Sequence, residues 1–109
     1  MQSSLERVLA LFVRMTADGW DTAAPLTWAF YFVNSRKAPL LKIGAVLKDH
    51  RYTAGSLYQS EDGAWVLQVT KTEALTAENL HRRNQAFNDL AEHCGCELYD
   101  GWDVGKAKE

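Results

Sequence analysis

Apolar residues recur at helical spacing from Leu5 onward, where Leu5, Val8, Leu9, Phe12 and Val13 share one face. Ser3, with Glu6 three positions later, has the form of a capping box, and Asp18-Gly19 is a stop signal. These predict a first helix ending near Ala17, followed by a short connection through Trp20–Pro25. The spacing then changes. Leu26–Asn34 reads Leu-Thr-Trp-Ala-Phe-Tyr-Phe-Val-Asn, aromatic and β-branched on both faces, which predicts a strand at the centre of a sheet. After a polar loop at Asn34–Lys37, Pro39 suits the first turn of a helix carrying Leu40, Ile43, Gly44 and Leu47 up to about Asp49.

Tyr52–Gln59 and Ala64–Thr70 read as two strands joined by the hairpin signal Asp62-Gly63. Thr76 is a fitting N-cap for a long helix whose buried stripe would be Leu80, Phe87, Leu90, Ala91 and Cys94. Gly95 is placed to end it in the left-handed conformation. Cys96–Asp100 reads as a last short strand, and Asp100-Gly101 as a bend that takes the chain out of it. After the leading helix the order is β-α-β-β-α-β, the split βαβ motif. The fold class predicted is α+β, a ferredoxin-like βαββαβ sandwich with an additional N-terminal helix. Residues 1–109 would form one domain, with the helix and turn in 1–22 and the sandwich core in 25–105. Trp28, Phe30, Phe32, Trp65, Leu67 and Val69 should face the helices, and Tyr31, Val33, Val66, Gln68 and Thr70 the open side. The pattern gives no position for the first helix. Asp-Gly-Trp-Asp occurs at both Asp18–Asp21 and Asp100–Asp103, and an echo this short marks two similar turns rather than a duplicated domain.

Composition narrows the function classes. The formal charge is −2, too balanced for a domain that holds nucleic acid by neutralising phosphates. Val8–Val13 is a six-residue apolar run bracketed by Arg7 and Arg14, so neither a leader peptide nor a membrane span is predicted. Cys94 and Cys96 are one residue apart, a poor spacing for a structural disulfide, which fits the reducing cytoplasm.

The stretch Asn88-Asp-Leu-Ala-Glu-His-Cys-Gly-Cys-Glu-Leu-Tyr-Asp-Gly-Trp102 resembles the closing helix and strand of the regulator of ribonuclease E activity B (RraB) family. Its sharpest parts are Leu90-Ala-Glu92 and Tyr99-Asp-Gly-Trp102, and the order of elements is similar from about Val8 to Trp102. The resemblance implies a ferredoxin-like domain without catalytic activity, whose partner is a protein, ribonuclease E, and whose effect is on RNA decay. That family's regulator is strongly acidic with an acidic tail, whereas this chain closes on Lys106-Ala-Lys-Glu109.

Tyr99, Asp100, Gly101 and Trp102 are the predicted protein-binding site, because Tyr and Trp present large amphipathic area with little entropy to lose. The competing reading is that Trp102 folds over the sandwich edge and Gly101 only turns the chain. Cys94-Gly-Cys96 beside His93 raises the alternative of a small metal- or ligand-binding domain. A closed zinc site needs four ligands, and His50 and His81 lie on separate elements, with His81 more than three helical turns from His93, so no metal or cofactor is assigned. Cys94 is read as a packed structural thiol. Gly63-Ala-Trp-Val-Leu-Gln-Val69 is faintly similar to an RNA-recognition strand, but its alternation sends Trp65 inward and Glu61-Asp62 precede it. No nucleophile elbow, Walker loop, dinucleotide fingerprint or zinc-protease helix is present. Asp49-His-Arg51 and His81-Arg-Arg83 read as solvated helix surface.

Overall fold

The computed structural model describes residues 1–106. Its elements are α1 (Leu5–Ala17), β1 (Leu26–Asn34), α2 (Lys37–Asp49), β2 (Thr53–Gln59), β3 (Trp65–Glu73), α3 (Ala77–Cys94) and β4 (Leu98–Lys106). The four strands form one antiparallel sheet in the order β2-β3-β1-β4. The doubly apolar strands β1 and β3 are therefore central, as their composition predicts.

Side chains in β1 alternate between buried and half-buried, and Trp28, Phe30 and Phe32 are inaccessible to solvent. Phe87 of α3 meets the rings of Phe30 and Phe32, with centroids 5.0 and 5.4 Å away, and also those of Tyr52 and Tyr99. Leu67, paired across the sheet with Phe32, packs beneath Gly44 of α2. Both helices thus cover the same face. The other face carries Tyr31 opposite Gln68 and Val33 opposite Val66, as the alternation predicts. Trp65 sits on the helix side but stays half-buried at the margin of the core.

The caps explain where the helices start and stop. Thr76 accepts a hydrogen bond from the Asn79 amide at the head of α3, and Gly95 ends that helix at φ 76°, a left-handed conformation that costs glycine nothing. At α1 the N-cap is Ser4, which accepts from the Arg7 amide, and not Ser3. The Ser3 hydroxyl is engaged elsewhere, with His81 and Asn84 of α3.

That tether fixes α1 against α3. The apolar face predicted for α1 is only partly used: Val8 is buried and Phe12 half-buried, while Leu5, Leu9 and Val13 remain exposed, and Met15, outside the predicted set, is buried instead. Phe12 stacks on Trp28 at 6.0 Å, which seals the end of the aromatic row.

The last strand corrects the sequence reading. Asp100-Gly101 does not turn the chain away, since pairing with β1 continues to Lys106. Tyr99 pairs with Phe32 and Gly101 with Tyr31, leaving Asp100 as the extra residue of a β-bulge. Gly101 has φ 113°, a backbone conformation that disfavours any side chain.

Because Phe87 joins four aromatic neighbours, Phe87→Ala should destabilise the fold by about 3–5 kcal/mol. Urea denaturation measures this, and a loss below about 1 kcal/mol would show that the ring is not central.

Candidate functional site

The bulge decides what the Tyr99–Trp102 quartet can do. In a regular strand, residues three apart point to opposite faces. The extra residue at Asp100 resets the alternation, so Tyr99 and Trp102 both face the helices, opposite Phe32 and Phe30. Tyr99 is 1% exposed, and its hydroxyl donates to Asn84 Oδ1 at 2.7 Å. Burial pushes its phenol well above the ordinary tyrosine range. The Tyr99 ring is thus a core support, out of reach of a partner. Gly101 is also buried. Asp100 is exposed on the bulge, and Trp102 is half-buried with its ring 5.5 Å from that of Trp28. Of the four predicted residues, only Asp100 and part of Trp102 reach solvent from the β4 edge.

Asn84, which the helical pattern passes over, lies wholly buried in the stripe of Leu80, Phe87 and Ala91. Its Nδ2 donates to Ser3 Oγ at 3.2 Å, and Ser3 Oγ lies 2.8 Å from His81 Nδ1. A serine beside a histidine suggests a nucleophile with its base, but such a base needs a third group to orient it. Here the amide goes to the serine, and the three side chains tie the N-terminal segment to α3.

A second polar cluster surrounds Tyr52 at the end of α2. The cationic groups of Lys71 and Arg83 lie 4.8 and 5.6 Å from the centroid of its ring. Arg83 is held in a two-pronged ion pair with Glu73, and Lys71 donates to the His50 carbonyl at 3.3 Å. Burial pushes the Tyr52 phenol up to about 12, against the opposing pull of the Arg83 charge. His50 and Arg83, read from sequence as solvated surface, line this pocket with Val46 and Leu90.

The cysteines divide differently from the prediction. Cys94 is half-buried, not sealed into the stripe, while Cys96 is buried and donates to the Val33 and Leu98 carbonyls at 3.3 and 3.5 Å. Burial raises the Cys96 thiol. Among the described residues, no group of three or more His, Cys, Asp or Glu side chains is arranged to hold a metal ion. No helix among them is long and apolar enough to cross a membrane.

Apolar surface is also exposed at two places among the described residues. One is a groove beside α1, floored by Leu9, Phe12, Val13 and Leu75, with Val13 71% exposed. The other is a trough between α2 and β2, lined by Leu41, Gly44, Ala45 and Leu57.

Two measurements check these assignments. The neutral Tyr52 phenol is favoured by folding, so its contribution is intact below its ordinary value of 10.0 and is lost as pH rises towards about 12. Tyr52→Phe should therefore flatten the loss of stability between those pH values, read from urea midpoints. In native thiol labelling, Cys94 should react before Cys96. The reverse order would contradict the burial of Cys96.

No curated protein matches the chain. The family model of the regulator of ribonuclease activity B matches residues 9–104, from the middle of α1 almost to the end of β4. That span takes in the bulge, the Asn84–Tyr99 pair, β1 to β3 whole and β4 as far as Val104. The chain belongs to the RraB family, the regulators of ribonuclease activity B.

Proposed function

We propose that this protein is a non-catalytic cytoplasmic regulator that binds a ribonuclease, ribonuclease E being the target implied by the resemblance, and so alters RNA decay. The family match over residues 9–104 carries this reading. The fold supports it: the strand order β2-β3-β1-β4 interleaves two βαβ units, which we read as a ferredoxin-like sandwich with α1 added. Its most elaborate polar side chains, Asn84 and Tyr99, are spent on holding the core together.

The contact surface proposed is the β4 edge around Asp100 and Trp102, with Tyr99 and Gly101 fixing its shape from beneath. Trp102 is the anchor. Its partly open ring keeps apolar area for a partner, while its inner edge rests on Trp28. Asp100, two residues earlier in the strand, is exposed on the bulge.

The test is a cleavage assay with purified ribonuclease E, together with affinity and melting measurements on the same variants. The wild-type chain should bind the enzyme and slow cleavage. Asp100→Arg should leave the melting temperature unchanged and weaken binding about tenfold, a loss of about 1.4 kcal/mol. Trp102→Ala removes both packing and contact, so it should lower stability by about 2 kcal/mol and weaken binding further. Binding unaffected by both changes would remove the β4 edge from the interface. Absence of any binding to ribonuclease E would refute that target.

A further inference from the structure

We propose that the trough between α2 and the free edge of β2 is a second docking site, one that takes an extended acidic segment of a protein partner. Three independent features meet there. The first is the strand edge. Among the described residues β2 pairs only with β3, and its sequence, Thr-Ala-Gly-Ser-Leu-Tyr-Gln, contains no charge and no proline. Those are two of the devices by which sheets blunt an open edge. The bulge between Ala54 and Ser56 bends its first part, leaving Ser56–Gln59 as the regular run.

The second feature is the apolar floor. Where α2 lies beside β2, Leu41 is 55% exposed and Leu57 is only half-buried. Gly44 and Ala45 keep the wall between them low. A strand added to β2 would turn alternate side chains into this trough and the others towards the open sheet face.

The third is charge. Residues 36–51 carry Arg36, Lys37, Lys42, Lys48 and Arg51 against the single carboxylate Asp49, in a chain whose formal charge is −2. Leu41, Gly44 and Lys48 line the trough, and Lys37 precedes them at the same helical spacing on α2. Asp49 is turned about 100° away from Lys48. Lys37, with its ammonium 5.2 Å from the Trp65 ring centroid, marks one end, and the exposed Lys48 the other. The two α-carbons are about 16 Å apart along the helix, the length of about five extended residues. Asp62, at the hairpin tip beyond β2, is folded into its own turn by Ser60 and the Ala64 amide.

The matching ligand is therefore a short strand with aliphatic side chains in the middle and a carboxylate at each end. A peptide backbone can pair with the β2 edge, whereas a phosphodiester chain offers no matching row of donors and acceptors. Nothing in this site depends on the ribonuclease reading, because it lies at the opposite edge of the sheet from β4.

The experiment uses the full chain and a labelled heptapeptide of alternating valine and threonine with glutamate at both ends, followed by fluorescence anisotropy. Saturable binding is expected, weakening about tenfold for Lys48→Glu or Leu41→Glu, as reversal or insertion of a charge at a contact predicts. Both positions are exposed, and unchanged melting would show that the variants fold. The same peptide with lysine ends should bind at least tenfold more weakly. A version with backbone N-methylation on alternate residues should lose binding, which separates strand addition from simple charge attraction. No saturable binding would overturn the proposal. So would equal binding of the lysine or N-methylated peptides, or preference for a single-stranded oligonucleotide of equal charge. Ribonuclease is absent from the assay, so its outcome leaves the role of the β4 edge untouched.

Discussion

The inward row of β1 sets the terms for everything packed around it. Trp28, Phe30 and Phe32 stand side by side on a central strand, and each needs complete cover. The pair of helices connecting the strands covers Phe30 and Phe32, largely through Phe87. Trp28 lies at the far end of the row, and its surroundings come from outside that layer: Phe12 from α1, Trp102 from β4, and the Glu73 carbonyl for the indole N–H at 2.9 Å. An exposed tryptophan face of this size would forfeit a large share of the stability of so small a domain. This is the physical reason for the additional helix.

Docking α1 in turn requires a fixed point, and Asn84 supplies it. A buried amide is costly unless its donor and acceptor are both engaged. Asn84 meets this condition by accepting from Tyr99 on one side and donating to Ser3 on the other. The Asn88 side chain adds a hydrogen bond to the Met1 carbonyl at 2.6 Å. One helix face thereby joins the last strand to the first residues of the chain. The β4 bulge belongs to the same arrangement, since without it Tyr99 and Trp102 could not both point inward.

Much of this was legible because it rests on local chemistry. The sequence pattern located the three helices, the first three strands and the start of β4, Asp62-Gly63 gave the hairpin, and Thr76 and Gly95 framed α3. What failed to show in the sequence has a common cause. Strict alternation cannot foresee a bulge, so Asp100-Gly101 read as an exit from the sheet and Tyr99 as surface. Polarity placed Asn84 outside a stripe that it occupies, because only the fold brings Tyr99 and Ser3 to its two ends. The apolar stripe of α1 was legible but not its place in the fold, because only the tertiary structure brings Phe12 to Trp28 and leaves Leu5, Leu9 and Val13 exposed. The quartet was recognisable as a motif, and its role as a bulge was not.

The two edges of the sheet are consequently very different surfaces. At β4 the bulge, Asp100 and the pinned tyrosine interrupt the regular ladder and hold a partly exposed tryptophan in one orientation, which suits recognition through side chains. At β2 the strand is uncharged and lies beside an aliphatic trough with lysines at its ends, which suits recognition through the backbone. Open edges without charge invite indiscriminate pairing. The lysines of α2 limit that hazard, because they repel basic segments and leave an apolar neutral strand without compensation for their hydration. An edge guarded in this way is selective for acidic partners by the same charges that protect it from aggregation.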